Sequence, residues 1–216
     1  MWGDIPRPWQ LAFIEAWAAY CNGSIPIGSV LTNSSGEVIY LGRNRINDES
    51  APINQICSNK LAHAEMNVLL QVSNHDAKML PHYTLFTTTE PCILCFGAIV
   101  MSGIRRVRYA STDTLAGGSN LNQSNNSFIR SRDIEMQCEH RFLGSIQKVL
   151  RTDYLLRLHD KDRAEKLLSY EVSEYPEAVD LGRRWHRSDK LLKAKQDGLG
   201  IDSIINDIFQ EIGHIM

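Results

Sequence analysis

Two short clusters carry the residue types that can do chemistry, His63-Ala64-Glu65 and Pro91-Cys92-Ile93-Leu94-Cys95, with 25 residues (66 to 90) between them. A Cys-x-x-Cys at a helix start can bind one metal ion through both sulfurs, because the amide dipoles and unpaired N–H groups there stabilise thiolates. His63 then makes a third protein ligand. Three such ligands and one open position are the pattern of a catalytic zinc centre, whereas a structural zinc would take a fourth ligand. Zinc lowers the pKa of a bound water to about 7, and a hydrolytic reaction there still needs a group that moves protons. Glu65, two residues past His63 on the first helical turn, is placed to point at that water without ligating the metal. The chemistry expected is hydrolysis.

Each cluster has a plainer reading when taken alone. Cys92 and Cys95 would suit a redox pair or two small buried hydrophobes, and it is their joint occurrence with His63 and Glu65 that favours the metal. Cys21, Cys57 and Cys138 have no partner at ligand spacing and read as core fillers or bystanders. Five cysteines are an odd number, which argues against a secreted disulfide framework and for a reducing compartment. The start, MWGDIPRPWQ, has no basic region followed by an apolar run, and no window approaches the ~18 consecutive apolar residues of a membrane span. The expectation is a cytoplasmic protein without a membrane segment.

The elements that must position these residues follow from periodicity. Leu11, Ile14, Trp17, Ala18 and Cys21 fall at helical spacing before an Asn22-Gly23 stop. IPIGSVLTN and EVIYLG read as an antiparallel hairpin across Ser34-Ser35-Gly36. Residues 44–60 are polar and irregular, and LAHAEMNVLLQV then puts Ala62, Met66, Leu69 and Leu70 on one helical face. YTLFTT (83–88) is a strand, PCILCFGAIVMSG (91–103) a helix opened by Pro91, and RVRYAS (106–111) another strand. Residues 119–127 read as a solvated loop, and IEMQC (134–138) as a weaker fifth strand. Strands alternating with helices beyond the hairpin predict an α/β protein: a three-layer α/β/α sandwich with a five-stranded mixed sheet. A helical C-terminal extension follows, in which Ile201, Ile204, Ile205, Ile208, Phe209 and Ile212 form one apolar stripe. The division expected is a zinc domain at 1–139 and an extension at 140–216 packed on it.

HAE followed by PCxxC is the signature of the zinc-dependent nucleobase deaminases. IPIGSVL, GRNR, LAHAEMNVL, TTTEPCILCFGAIVMSGI and RRVRYASTD resemble the successive blocks of the nucleoside and guanine deaminase and tRNA adenosine deaminase branch of the cytidine deaminase-like superfamily, over roughly residues 9–119. The resemblance implies that His63, Cys92 and Cys95 hold Zn2+ and that Glu65 is the proton shuttle. It further implies that Asn44 hydrogen-bonds the base, that the backbone at Ala64 and around Glu90 holds the base edge and the tetrahedral intermediate, and that Asp113 lies near the substrate. On residue type alone, Asn44 also suits a turn, and Asp113 a turn or helix-capping acid. The resemblance implies a homodimer as well. Beyond Ser119 it fades.

With 23 Lys and Arg against 25 Asp and Glu, the net charge of −2 supplies no whole-chain attraction for a polyanion. This favours a small-molecule base or nucleoside as substrate, attacked by zinc-bound hydroxide at its amino-bearing carbon with release of ammonia. The alternative is adenosine-to-inosine deamination of tRNA, with phosphates held by the basic stretch RRWHRSDKLLKAK (183–195). Acidic residues at Glu171, Glu174, Glu177 and Asp180 precede that stretch closely, which favours an ordinary solvated face there.

Overall fold

In the computed structural model, which describes residues 1–139 and 141–213, two β-favouring runs fold back on each other as β1 (Gly28–Thr32) and β2 (Val38–Arg43). The Asn33 side chain closes their turn by accepting the amides of Ser35 and Glu37 at 3.0 and 2.9 Å. β3 (Thr84–Thr89), β4 (Arg106–Ser111) and β5 (Glu135–Cys138) complete a sheet of order β2-β1-β3-β4-β5. β1 runs antiparallel to both neighbours, and β3, β4 and β5 are parallel, so the sheet is mixed as expected.

Alternate residues along each strand serve two different cores, as strand geometry requires. Val30, Phe86 and Ala110 face α1 (Arg7–Cys21) and the C-terminal helices, while Leu31, Leu85 and Val107 face α2 (Ala64–Leu69) and α3 (Ile93–Ser102). That alternation makes the three layers. Two glycines on paired strands set the spacing. A Cβ on Gly28 would lie 2.0 Å from the Ala12 carbonyl oxygen of α1, and one on Gly42 would lie 2.7 Å from the Ala64 carbonyl oxygen of α2. Both helices therefore rest directly on strand backbone, which only glycine permits.

Three sequence expectations shift. α2 spans only Ala64–Leu69, so Ala62 and Leu70 of the expected helical face lie outside it. α3 begins at Ile93 rather than Pro91, because Cys92 is extended (φ −68, ψ 174) and caps the helix from outside. Residues 119–127, expected as a solvated loop, contain a 3₁₀ turn (Ser119–Gln123) and lead into α4 (Ser127–Arg132). Asn126 caps α4 by accepting the amides of Phe128 and Ile129, and Leu121 and Ile129 pack onto the α2–α3 core.

The C-terminal segment forms α5 (Arg141–Arg157), α6 (Lys161–Ser169), α7 (Pro176–Arg187), α8 (Lys190–Gln196) and α9 (Ile201–Ile212). α5, α7 and α9 share one core with α1: Ile146, Val149, Leu181, Trp185, Ile204 and Ile208 pack with Trp9, Phe13 and Trp17. In the α9 stripe Phe209 is the partial exception, 39% exposed and edge-on to Phe142 at 5.5 Å. Three of the six cations in the 183–195 stretch are ion-paired: Arg183 with Glu165, Arg184 with Asp180 and Glu211, and Lys190 with Asp207. Among the described residues, no helix is long and apolar enough to cross a membrane.

Because Gly28 touches α1 backbone, Gly28→Ala must displace the helix. Chemical denaturation should show a loss of about 2 kcal/mol, within the range for overpacked cores, and an unchanged midpoint would contradict the close contact.

Candidate active site

α2 and α3 start at the same edge of the sheet. His63 occupies the position before α2 and Cys92 the position before α3, both with extended backbone that turns their side chains out of the helices. Cys95 sits one turn into α3 and is fully buried. The His63 Nδ1 lies 3.4 Å from the Cys92 sulfur and 3.4 Å from the Cys95 sulfur, and the three ligand atoms lie within 4.8 Å of one another. A tetrahedral zinc with Zn–S near 2.3 Å and Zn–N near 2.0–2.1 Å sets such N···S edges at about 3.5 Å. The donor set and its spacing fit the ion.

Glu65 is 4% exposed, and its carboxyl is held from two sides. Thr87 of β3 donates its hydroxyl to Oε1 at 3.1 Å, and the Cys95 sulfur lies 3.3 Å from Oε2. Burial pushes the Glu65 carboxyl above the usual range. Cys92 goes the other way: hydrogen bonding from the Cys95 thiol, aided by His63 and opposed by burial, brings it down to about 4. The Cys92 thiolate and burial, with the Glu65 charge, push Cys95 up. His63 is raised by its hydrogen bond to Cys92, against burial. Four groups thus share one corner in which the Cys92 charge raises the proton affinity of its three neighbours, surroundings that a divalent cation would relieve.

A cavity of about 410 Å³ opens over this corner, lined by His63, Glu65 and Cys92 and also by Asn44, Glu90 and Asp113. Ala64 is fully buried between two lining residues and is not itself part of the lining. Asn44 lines the cavity from a turn: its Oδ1 accepts the Ile46 amide at 3.2 Å, while no acceptor among the described residues meets its Nδ2. Asp113 likewise faces the cavity and caps a turn, its Oδ1 accepting the amides of Leu115 and Ala116. The Glu90 carboxylate accepts the amides of Asp113 (2.9 Å) and Ser119 (3.1 Å) and the Ser119 hydroxyl (2.5 Å). It clamps the loop at 113–119 onto the start of α3.

Sequence reasoning missed one wall of the cavity. Arg151, Tyr154, Leu155 and Leu158 of α5, with Arg163 and Leu167 of α6, line it together with Ile25, Ile27, Ile46, Thr89, Leu115 and Ala116. The spacing 151, 154, 155, 158 is one helical stripe and was visible as such. Nothing in the spacing says whether a stripe faces a core or a cavity.

Known proteins agree with this geometry. The family described as the cytidine and deoxycytidylate deaminase zinc-binding region matches residues 7–111. A cytosine deaminase of Candida albicans is 33% identical over 119 residues, covering 55% of this chain and 73% of that protein. A tRNA-specific adenosine deaminase of Aquifex aeolicus is 31% identical over 110 residues, covering 50% of this chain and 67% of that protein. Among solved structures, one from studies of A-to-I editing by tRNA:A34 deaminases superimposes with a TM-score of 0.50 at 27% identity, over 62% of this chain and 96% of that one. A third of the positions shared across most of a deaminase's length, on a sheet that carries a zinc-binding region, leaves one assignment: the chain belongs to the cytidine deaminase-like superfamily of zinc-dependent deaminases.

Proposed function

We propose that the protein is a hydrolytic deaminase of a nucleobase or nucleoside, with His63, Cys92 and Cys95 as zinc ligands and Glu65 as proton shuttle. The observation that carries this is Glu65 buried within contact distance of Cys95, beside three donors at tetrahedral spacing. Zinc bound there would supply Lewis acidity and a water acidified toward neutral pH. Thr87 fixes Oε1 of Glu65 and leaves the other oxygen to face the metal corner. Its raised proton affinity suits a group that must take a proton from the attacking water and hand it to a ring nitrogen. A second transfer makes the exocyclic amine into ammonia as the C–N bond breaks. The free amide of Asn44 is offered to the base, and the loop at 113–119, clamped by Glu90, limits the other side of the pocket.

The zinc domain is assigned to 1–139 and the extension to 140–216, and the core that α5, α7 and α9 share with α1 supports packing of the extension on that domain. We assign a homodimer contact to the outer face of α3, where Ile93 is 65% and Met101 71% exposed. No disulfide joins the cysteines among the described residues, which suits a reducing cytoplasm.

The similarity to tRNA deaminases favours a second reading, deamination of adenosine in tRNA. The ion pairs of Arg183, Arg184 and Lys190 weigh against it, since they occupy half of the cations at 183–195.

Glu65→Gln should retain zinc on elemental analysis yet release ammonia about 10²–10⁴-fold more slowly across a panel of bases and nucleosides, whereas Cys92→Ser should lose most of the metal. A Glu65→Gln variant as active as the parent would end this reading. Turnover of a small substrate should change little between 50 and 200 mM salt, while RNA held by several phosphates would weaken on the order of 10³-fold or more. Met101→Glu should turn dimers into monomers by light scattering.

A further inference from the structure

The α5–α6 wall carries two guanidinium groups that hydrolysis does not require, Arg151 and Arg163. Arg151 is 11% exposed and donates Nε to Glu171 Oε1 at 2.5 Å. The same carboxylate meets the buried Lys148 at 3.5 Å, and Lys148 also donates to the Thr112 carbonyl at 2.8 Å. Glu171 pairs with both Lys148 and Arg151, and the terminal nitrogens of Arg151 meet no acceptor among the described residues.

Arg163 has no such balance. Of the acids along this turn, Asp160 accepts the Arg163 backbone amide at 2.9 Å, Glu165 pairs with Arg183, and Asp162, its neighbour in the chain, makes no ion pair with it. No carboxylate meets the Arg163 side chain among the described residues. The cavity therefore has a metal end and a cationic wall, with Tyr154, Leu155, Leu158 and Leu167 as apolar lining. A ligand with a flat base to be hydrolysed and an anion attached to it would match both. Guanidinium forks bind phosphate oxygens with charge-assisted, bidentate geometry, and about 410 Å³ is within the range of small-molecule sites.

We propose that Arg163, together with Arg151, forms a phosphate subsite on this wall, and that the nucleoside deaminated here carries a 5′-phosphate. This rests on the deaminase reading above and narrows its substrate. Three of the six cations at 183–195, Arg183, Arg184 and Lys190, are already paired within the chain, which weighs against a polymer.

The test compares cytidine, adenosine and guanosine with their 5′-monophosphates, with the free bases and with a tRNA, on the zinc-loaded full chain, by ammonia release and by calorimetric binding. For the base that is accepted, kcat/KM should favour the monophosphate about tenfold or more. Arg163→Gln should bring that ratio close to one, and Arg163→Glu should take it below one. Lys166→Gln, which removes a charge from the same helix outside the cavity lining, should leave the ratio as it was. A parent ratio near one, equal effects of Arg163→Gln and Lys166→Gln, or turnover confined to free bases or RNA would each overturn the subsite while leaving the deaminase reading intact. If no compound is turned over, the deaminase reading fails, and calorimetry decides the subsite separately. Monophosphate binding at least tenfold tighter than nucleoside binding, lost in Arg163→Gln, supports it, and any weaker preference overturns it.

Discussion

The crowding of an imidazole, two thiols and a carboxyl at two helix starts is the constraint on which the rest of the structure depends. Cys92 ionises readily only while Cys95 beside it keeps its proton, and Glu65 is pushed toward its neutral form by burial and by the Cys92 charge. A divalent cation held by the two sulfurs and the imidazole would reverse that competition, since each negative charge would gain an attraction larger than the repulsion it meets. The fold delivers the groups to this point with little slack. Gly42 lets α2 lie against β2, which sets the height of His63 and Glu65, and Thr87 on β3 fixes the carboxyl from the sheet side.

Acidic residues around the cavity fall into two kinds, and residue type does not separate them. Glu65 is buried with one oxygen turned to the metal corner. Glu90 receives three hydrogen bonds from the loop at 113–119 and is bound into the scaffold. Asp113 stands between them, facing the cavity while capping its own turn. A carboxylate whose lone pairs are already met by backbone amides positions a loop, and what it offers a substrate is the backbone it holds still.

The C-terminal helices are both scaffold and wall. α5 buries Ile146, Val149 and Leu150 against α1, while its residues Arg151, Tyr154, Leu155 and Leu158 face the cavity. One helix thus couples the stability of the N-terminal layer to the shape of the pocket. The cations it carries are held by a buried carboxylate, Glu171, a costly arrangement unless the geometry is well satisfied.

Local spacing determined a great deal about this protein. The strand and helix order up to residue 111, the hairpin, the apolar stripe of α9 and the set of His63, Glu65, Cys92 and Cys95 all depend on periodicity or on residues adjacent in the chain, and these are written in sequence. The start of α3, the helix at 127–132 and the engaged carboxylate of Glu90 depended on capping and on contacts with distant loops. The wall formed by α5 and α6 and the uncompensated Arg163 were decided only by tertiary structure. A helical stripe states which residues share a face, but the burial and charge balance of that face are set by segments far away in the chain.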